Sequence, residues 1–126
     1  MTSGLVQLGL IDGPVDEAIE KGTYKTFYMH KTGHYLGLDV HDVGKYKSGD
    51  AWRPLEEGMV ITIEPGLYVA EDCETVAPTW RGIGVRIEDD VLVTADGHEV
   101  LSEAAPKLVA DLERIVGSAA SAVTAR

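Results

Sequence analysis

Met59-Val60-Ile61-Thr62-Ile63-Glu64-Pro65-Gly66 and Ile83-Gly84-Val85-Arg86-Ile87-Glu88 are the stretches whose reading decides the fold. In an extended chain successive side chains point to opposite sides, so Met59, Ile61 and Ile63 share one face while Val60, Thr62 and Glu64 share the other. In the second stretch Ile83, Val85 and Ile87 are expected to face the core, and Gly84, Arg86 and Glu88 to face away. Pro65 interrupts the first strand because it has no ladder donor. Each strand therefore carries one glutamate opposite its aliphatic face. As antiparallel neighbours the two would aim both carboxylates into one cleft, where unpaired they repel and are costly to desolvate. A divalent cation would remove that cost, and an oxygen-rich site with one imidazole suits Mn, Fe, Co or Zn. A solvated polar face with Glu88 paired to Arg86 explains the same alternation, and the pattern alone leaves both open.

Working outward, Asp89-Asp90 leads into Val91-Leu92-Val93, and Ala95-Asp96-Gly97-His98 reads as a turn. Glu56-Glu57-Gly58 is a turn before the first strand. Val15 to Lys21 predicts a short helix: Pro14 suits its first position, Asp16 and Glu17 its positive end, and Gly22 its termination. Val15, Ala18 and Ile19 give that helix one buried face, and Leu5 to Leu10 reads as the end of another. A strand is expected around Thr26–Met29, then a loop or broken short helix, since Gly33, Gly37 and Gly44 oppose a continuous one. Pro106 followed by Leu108, Leu112, Ile115 and Val116 predicts a last helix. The small Ala/Ser-rich residues 118–126 are expected to form a flexible tail after one domain over 1–117.

Composition narrows the class. At 126 residues, with 44% hydrophobic and 25% charged residues, the chain reads as one ordinary globular domain. A net charge of −10 repels phosphate backbones and anionic lipid, so neither nucleic acid nor a membrane surface is expected as a partner. No apolar run approaches the roughly 18 residues of a membrane span. The beginning Met1-Thr2-Ser3-Gly4 shows no secretory signal, and Cys73 is the single cysteine, which excludes an internal disulfide and a cysteine zinc knuckle. A cytoplasmic location is expected.

Several candidates for chemistry are weak. His30 and His34 are four apart, but Lys31 stands where a zincin motif needs glutamate. Ser48 and Ser102 have no visible base, Cys73 lies in an acidic loop, and His98 sits in the predicted turn. The run from His30 to His41 is stronger, because it holds three of the chain's four histidines.

Tyr28-Met29-His30-Lys31-Thr32-Gly33-His34-Tyr35-Leu36-Gly37-Leu38-Asp39-Val40-His41-Asp42-Val43-Gly44 resembles the histidine signature of the Xaa-Pro aminopeptidases (aminopeptidase P). Leu55 to Tyr68 resembles their first glutamate strand, and Trp80 to Asp90 their second. The resemblance implies an α+β fold, the C-terminal half of a pita-bread metallopeptidase domain, with a curved antiparallel sheet and helices on its outer face. It implies a divalent metal, two manganese ions in the complete enzyme, with His34, Glu64 and Glu88 as ligands and Glu88 bridging. Glu64 matches the proton acceptor, His30 and His41 match histidines that hold substrate and oxyanion, and Arg86 matches a supporting arginine. The implied reaction is hydrolysis of an N-terminal Xaa-Pro bond, the substrate being a peptide with proline second. The two aspartate ligands that the family draws from its first half have no counterpart here, so this chain alone is expected to be inactive. Completion by a missing N-terminal half, or assembly as a homo-oligomer, is the partner expectation. The alternatives are a prolidase, cutting Xaa-Pro dipeptides only, and a non-catalytic binding module on the same fold.

Overall fold

The structure is a computed structural model that describes residues 1–116, so the tail predicted over 118–126 lies outside the described residues. It opens with two short helices, α1 (Thr2–Gln7) and α2 (Val15–Lys21). Pro14 stands one position earlier than predicted, as the extended residue capping α2 (φ −66°, ψ 147°). Gly22 ends the helix at φ 67°, and its N–H bonds to the Ile19 carbonyl. Of the three residues assigned to the buried face of α2, Ala18 is buried and Val15 half-buried, while Ile19 is exposed.

The strand expected around Thr26–Met29 does not form. Thr23–Thr26 is a 3-10 turn, and the Tyr28 N–H bonds back to the Tyr24 carbonyl at 3.0 Å. Phe27 is drawn into the core beside Leu5, Leu10, Val69 and Val76, which fixes a bend where β-rich residue types suggested extension. The Tyr68 N–H bonds to the Phe27 carbonyl at 2.9 Å.

A two-stranded hairpin, β1 (Lys47–Ser48) with β2 (Ala51–Trp52), precedes the main sheet. The main elements are β3 (Val60–Ile63), β4 (Gly66–Tyr68), β5 (Gly84–Arg86), β6 (Asp89–Thr94) and β7 (Gly97–Val100). β3 pairs antiparallel with β6 from Val60↔Leu92 to Ile63↔Asp89, and β4 with β5 from Gly66↔Arg86 to Tyr68↔Gly84. Both ladders keep one register across the Pro65 interruption, where the Ile87 N–H reaches the Pro65 carbonyl at 3.3 Å. That register sets Glu64 directly opposite Glu88. β7 adds a third strand on β6, and exposed His98 lies within it rather than in the turn, which is confined to Ala95-Asp96.

On the other side of β3, residues 32–36 lie in the expected loop and run alongside the strand, bridging it at Tyr35↔Ile61. The N–H groups of Glu64, Thr62 and Leu36 bond to the carbonyls of Thr32, His34 and Val60 at 2.7, 2.9 and 3.0 Å. Gly33 permits this approach, since a Cβ there would lie 2.1 Å from the Thr62 carbonyl oxygen.

The two faces of the hairpin are not covered as the alternation suggested. α1, the 3-10 turn and the 70–80 connection pack over the outer face at its Leu67–Val69 end, with Leu5 fully buried. The aliphatic residues expected to face the core are nevertheless open, both beside that end and beyond it: Ile83 is 45% exposed and Val85 55%, Ile63 47% and Ile87 46%. Met1 borders Val85 and Ile87, and Trp52 borders Ile63, across open cavities that leave these side chains only partly covered. The opposite face holds Thr62 and Glu64, the two buried polar residues among the described residues. The last helix, α3 (Val109–Ile115), starts later than Pro106, and Leu108, Leu112 and Ile115 along it are exposed.

Candidate metal centre

The site forms where three segments meet on the inner face of the hairpin. Residues 32–36 carry His34, the β3 end carries Glu64, and the stretch between β5 and β6 carries Glu88. One ligand atom from each of His34, Glu64 and Glu88 lies within 4.8 Å of the others. His34 Nε2 stands 3.2 Å from Glu64 Oε1. Both side chains are largely shielded, whereas Glu88 is 38% exposed at its side chain.

The hydrogen bonds define what this cluster needs. His34 Nδ1 faces the Tyr35 carbonyl oxygen at 2.9 Å, and a carbonyl only accepts, so Nδ1 carries the proton. With the ring neutral, Nε2 presents a lone pair to a carboxylate oxygen that also only accepts, whereas a doubly protonated ring donates to it. Two carboxylates placed opposite each other across an antiparallel pair add like-charge repulsion. Arg86, on the same face, sets Nε 3.7 Å from Glu64 Oε2 and 3.8 Å from Glu88 Oε2, beyond hydrogen-bond reach of either. The Arg86–Glu88 pairing considered from the sequence is thus present but loose and shared with Glu64. A divalent cation among one imidazole nitrogen and two carboxylates converts these opposed lone pairs into ligands, so the donor set fits such an ion. The bond from Nδ1–H to a backbone carbonyl is the arrangement that orients metal-binding histidines.

His41 flanks the cluster, and His30 lies against two tyrosines. The His41 ring meets the His34 ring edge-on at 4.3 Å between centroids and is open to solvent. His30 sits against the rings of Tyr28 and Tyr68. Its Nδ1 donates to the Lys31 carbonyl at 2.7 Å, so in the neutral ring Nε2 accepts from the Tyr68 hydroxyl at 3.0 Å. Gly66 makes room for that tyrosine, because a Cβ there would stand 2.5 Å from its hydroxyl oxygen. The structure thus brings five of the residues singled out from the sequence close together, His34, Glu64 and Glu88 with Arg86 and His41, whereas the partners of His30 are Tyr28, Tyr68 and the Lys31 carbonyl. Ser48, Cys73 and His98 stay outside the cluster, Cys73 Sγ lying 3.3 Å from Thr75 Oγ1.

Thr62 and Tyr68 were not singled out. Their even spacing with Glu64 already placed them on the glutamate face, which is the signal that could have found them.

Residues 3–95 match the model of Metallopeptidase family M24. The chain is 54% identical over 115 residues to the Xaa-Pro aminopeptidase of Haemophilus influenzae, covering 91% of this chain and 26% of that protein. Among solved structures, the Pseudomonas aeruginosa aminopeptidase PepP superposes with a TM-score of 0.90 at 59% identity, over 95% of this chain and 27% of that one. A zinc-substituted Escherichia coli aminopeptidase P in complex with product gives 0.83 at 51% identity, over 90% and 26%. The chain therefore spans about a quarter of the length of the relatives it matches. The α+β architecture, an antiparallel sheet with helices on its outer face, is that of the C-terminal half of a pita-bread domain. Site and fold lead to the same place, and the chain belongs to Metallopeptidase family M24.

Proposed function

We propose that this chain supplies one wall and part of the metal set of an aminopeptidase that hydrolyses the N-terminal Xaa-Pro bond of peptides in the cytoplasm. The observation that carries this is the convergence of His34, Glu64 and Glu88, from three separate segments, within 4.8 Å. These residues would hold the divalent ions, two manganese ions in the complete enzyme. Bound there, the ions would supply a water acidified toward neutral pH and stabilisation of negative charge on the attacked carbonyl oxygen.

The chain's own groups divide the remaining work. Glu64 is shielded, and its Oε1 is held by Thr62 while Oε2 faces Arg86, so Oε2 is placed to take a proton from the attacking water. Arg86 keeps a positive charge beside both carboxylates, which limits their repulsion without hydrogen-bonding either away from an ion. His41, open to solvent, is positioned to hold a substrate carbonyl. His30 would do so by exchanging its Tyr68 partner for the substrate. The two aspartate ligands implied by the resemblance are proposed to come from the part of the relatives' length outside this chain.

The test is manganese-supplemented cleavage of an Xaa-Pro tripeptide. This chain alone should turn it over at background rate, and a polypeptide carrying the rest of a relative's catalytic domain should restore cleavage. Robust cleavage by the chain alone would overturn the shared ligand set. Comparing the completed enzyme on dipeptide and tripeptide separates a prolidase, which would cut only the former.

A further inference from the structure

We infer that Thr62 is a positioning residue: its buried hydroxyl ties the His34 segment to the Glu64 carboxylate and fixes which carboxylate oxygen meets the histidine. This rests on the reading of His34 and Glu64 as metal ligands. Thr62 is 2% exposed, in the middle of β3, with its side chain on the glutamate face. Its Oγ1 lies 3.1 Å from the His34 backbone nitrogen and 3.2 Å from Glu64 Oε1. The direction of both bonds is forced. A backbone N–H only donates, so Oγ1 accepts from His34. A carboxylate only accepts, so the hydroxyl proton goes to Glu64.

The result is a closed circuit. The His34 main chain donates to Thr62, Thr62 donates to Glu64 Oε1, and the same Oε1 faces His34 Nε2 at 3.2 Å. One hydroxyl therefore sets the glutamate rotamer and the height of the histidine segment together. The Thr62 backbone N–H adds a third tie, to the His34 carbonyl at 2.9 Å. Neither valine, which has no hydroxyl, nor alanine could close the circuit; serine could.

The experiment compares the full chain with Thr62→Val and Thr62→Ser, titrating Mn²⁺ by the loss of its free-ion electron-paramagnetic signal. Thr62→Val should weaken binding about tenfold, in the range for residues that orient ligands, and Thr62→Ser should stay within about twofold of the parent. Equal binding by the parent and Thr62→Val, or equal weakening in both variants, overturns the proposal. A second readout uses no metal: hydrogen exchange of the His34 amide and the 13C shift of the Glu64 carboxylate. Both should change in Thr62→Val and hold in Thr62→Ser, while amides of the β6–β7 ladder stay protected in all three. If the parent takes up no Mn²⁺, the ligand reading fails, and the metal-free measurements still decide on Thr62: unchanged signals in Thr62→Val overturn it.

Discussion

The two faces of the β3–β6 hairpin are made from alternate residues of the same strands, yet they differ in what keeps them in order. The inner face is polar, with Thr62 and Glu64 buried and the Thr62 hydroxyl bonded to both the His34 main chain and the Glu64 carboxylate. The outer face is aliphatic and divided. Its Leu67–Val69 end is packed under α1 and Phe27, while Ile63, Val85 and Ile87 are exposed. Inner-face order thus comes from directed hydrogen bonds and opposed charges, and outer-face order from burial where a helix is available. Substitutions should act on the two faces through different measurements.

The largest effect is expected at the ligands. Glu64→Gln removes an anionic oxygen from the cluster, so Mn²⁺ affinity should fall by more than the roughly 10- to 100-fold that a supporting residue costs. Calorimetric titration checks it, and undiminished affinity would break the assignment of the inner face to metal binding. On the outer face, Leu5→Ala should cost about 2–5 kcal/mol in urea unfolding, since Leu5 is fully buried. Ile87→Ser, on the open part, should change stability by no more than about 0.5 kcal/mol. Equal costs at the two positions would mean that the outer face is covered throughout.

Gly33→Ala comes next. Its Cβ would meet the Thr62 carbonyl oxygen at 2.1 Å, a backbone atom that has little room to move. Overpacking of this kind costs about 1–3 kcal/mol and should also loosen the His34 edge, visible as faster exchange of the Thr62 and Glu64 amides.

The smallest effect concerns Asp89. Its carboxyl is held below the ordinary value of 3.8 by the hydrogen bond from Lys107, then by that from Ser102. A lowered acid contributes stability that is present above its unfolded value and lost as pH falls through its folded one. Acid unfolding curves should therefore show the contribution intact at pH 5 and fading below the ordinary value, with Asp89→Asn flattening that part of the curve. A parent curve indistinguishable from that of Asp89→Asn would remove the pairing from consideration.

Much of this was legible in the sequence, and the limits are physical. Alternation correctly assigned Thr62, Glu64 and the aliphatics to opposite faces, because side-chain direction is a property of the extended backbone itself. Which face lies under other atoms depends on what packs against it, and Ile63 and Ile87 carry no local mark of that. Thr26–Met29 misled because Phe27 and its neighbours suit a strand by residue type, yet the core beside Leu5 takes the Phe27 ring and turns the chain. The convergence of His34 with two glutamates was legible only through the family resemblance, since no local spacing links positions so far apart. Gly33 was read as a helix breaker, whereas its role in the structure is to let two backbones meet.

The unbroken register across Pro65 carries one more consequence. Because Glu64 and Glu88 face each other by count, adding a single residue within Val60–Ile63 would turn the Glu64 carboxylate to the far side of the sheet. An addition at the exposed Asp72 tip of the connecting loop would leave both where they are. Change in length is therefore cheap in the loop and ruinous in the strand, and parity, more than residue type, guards the pair.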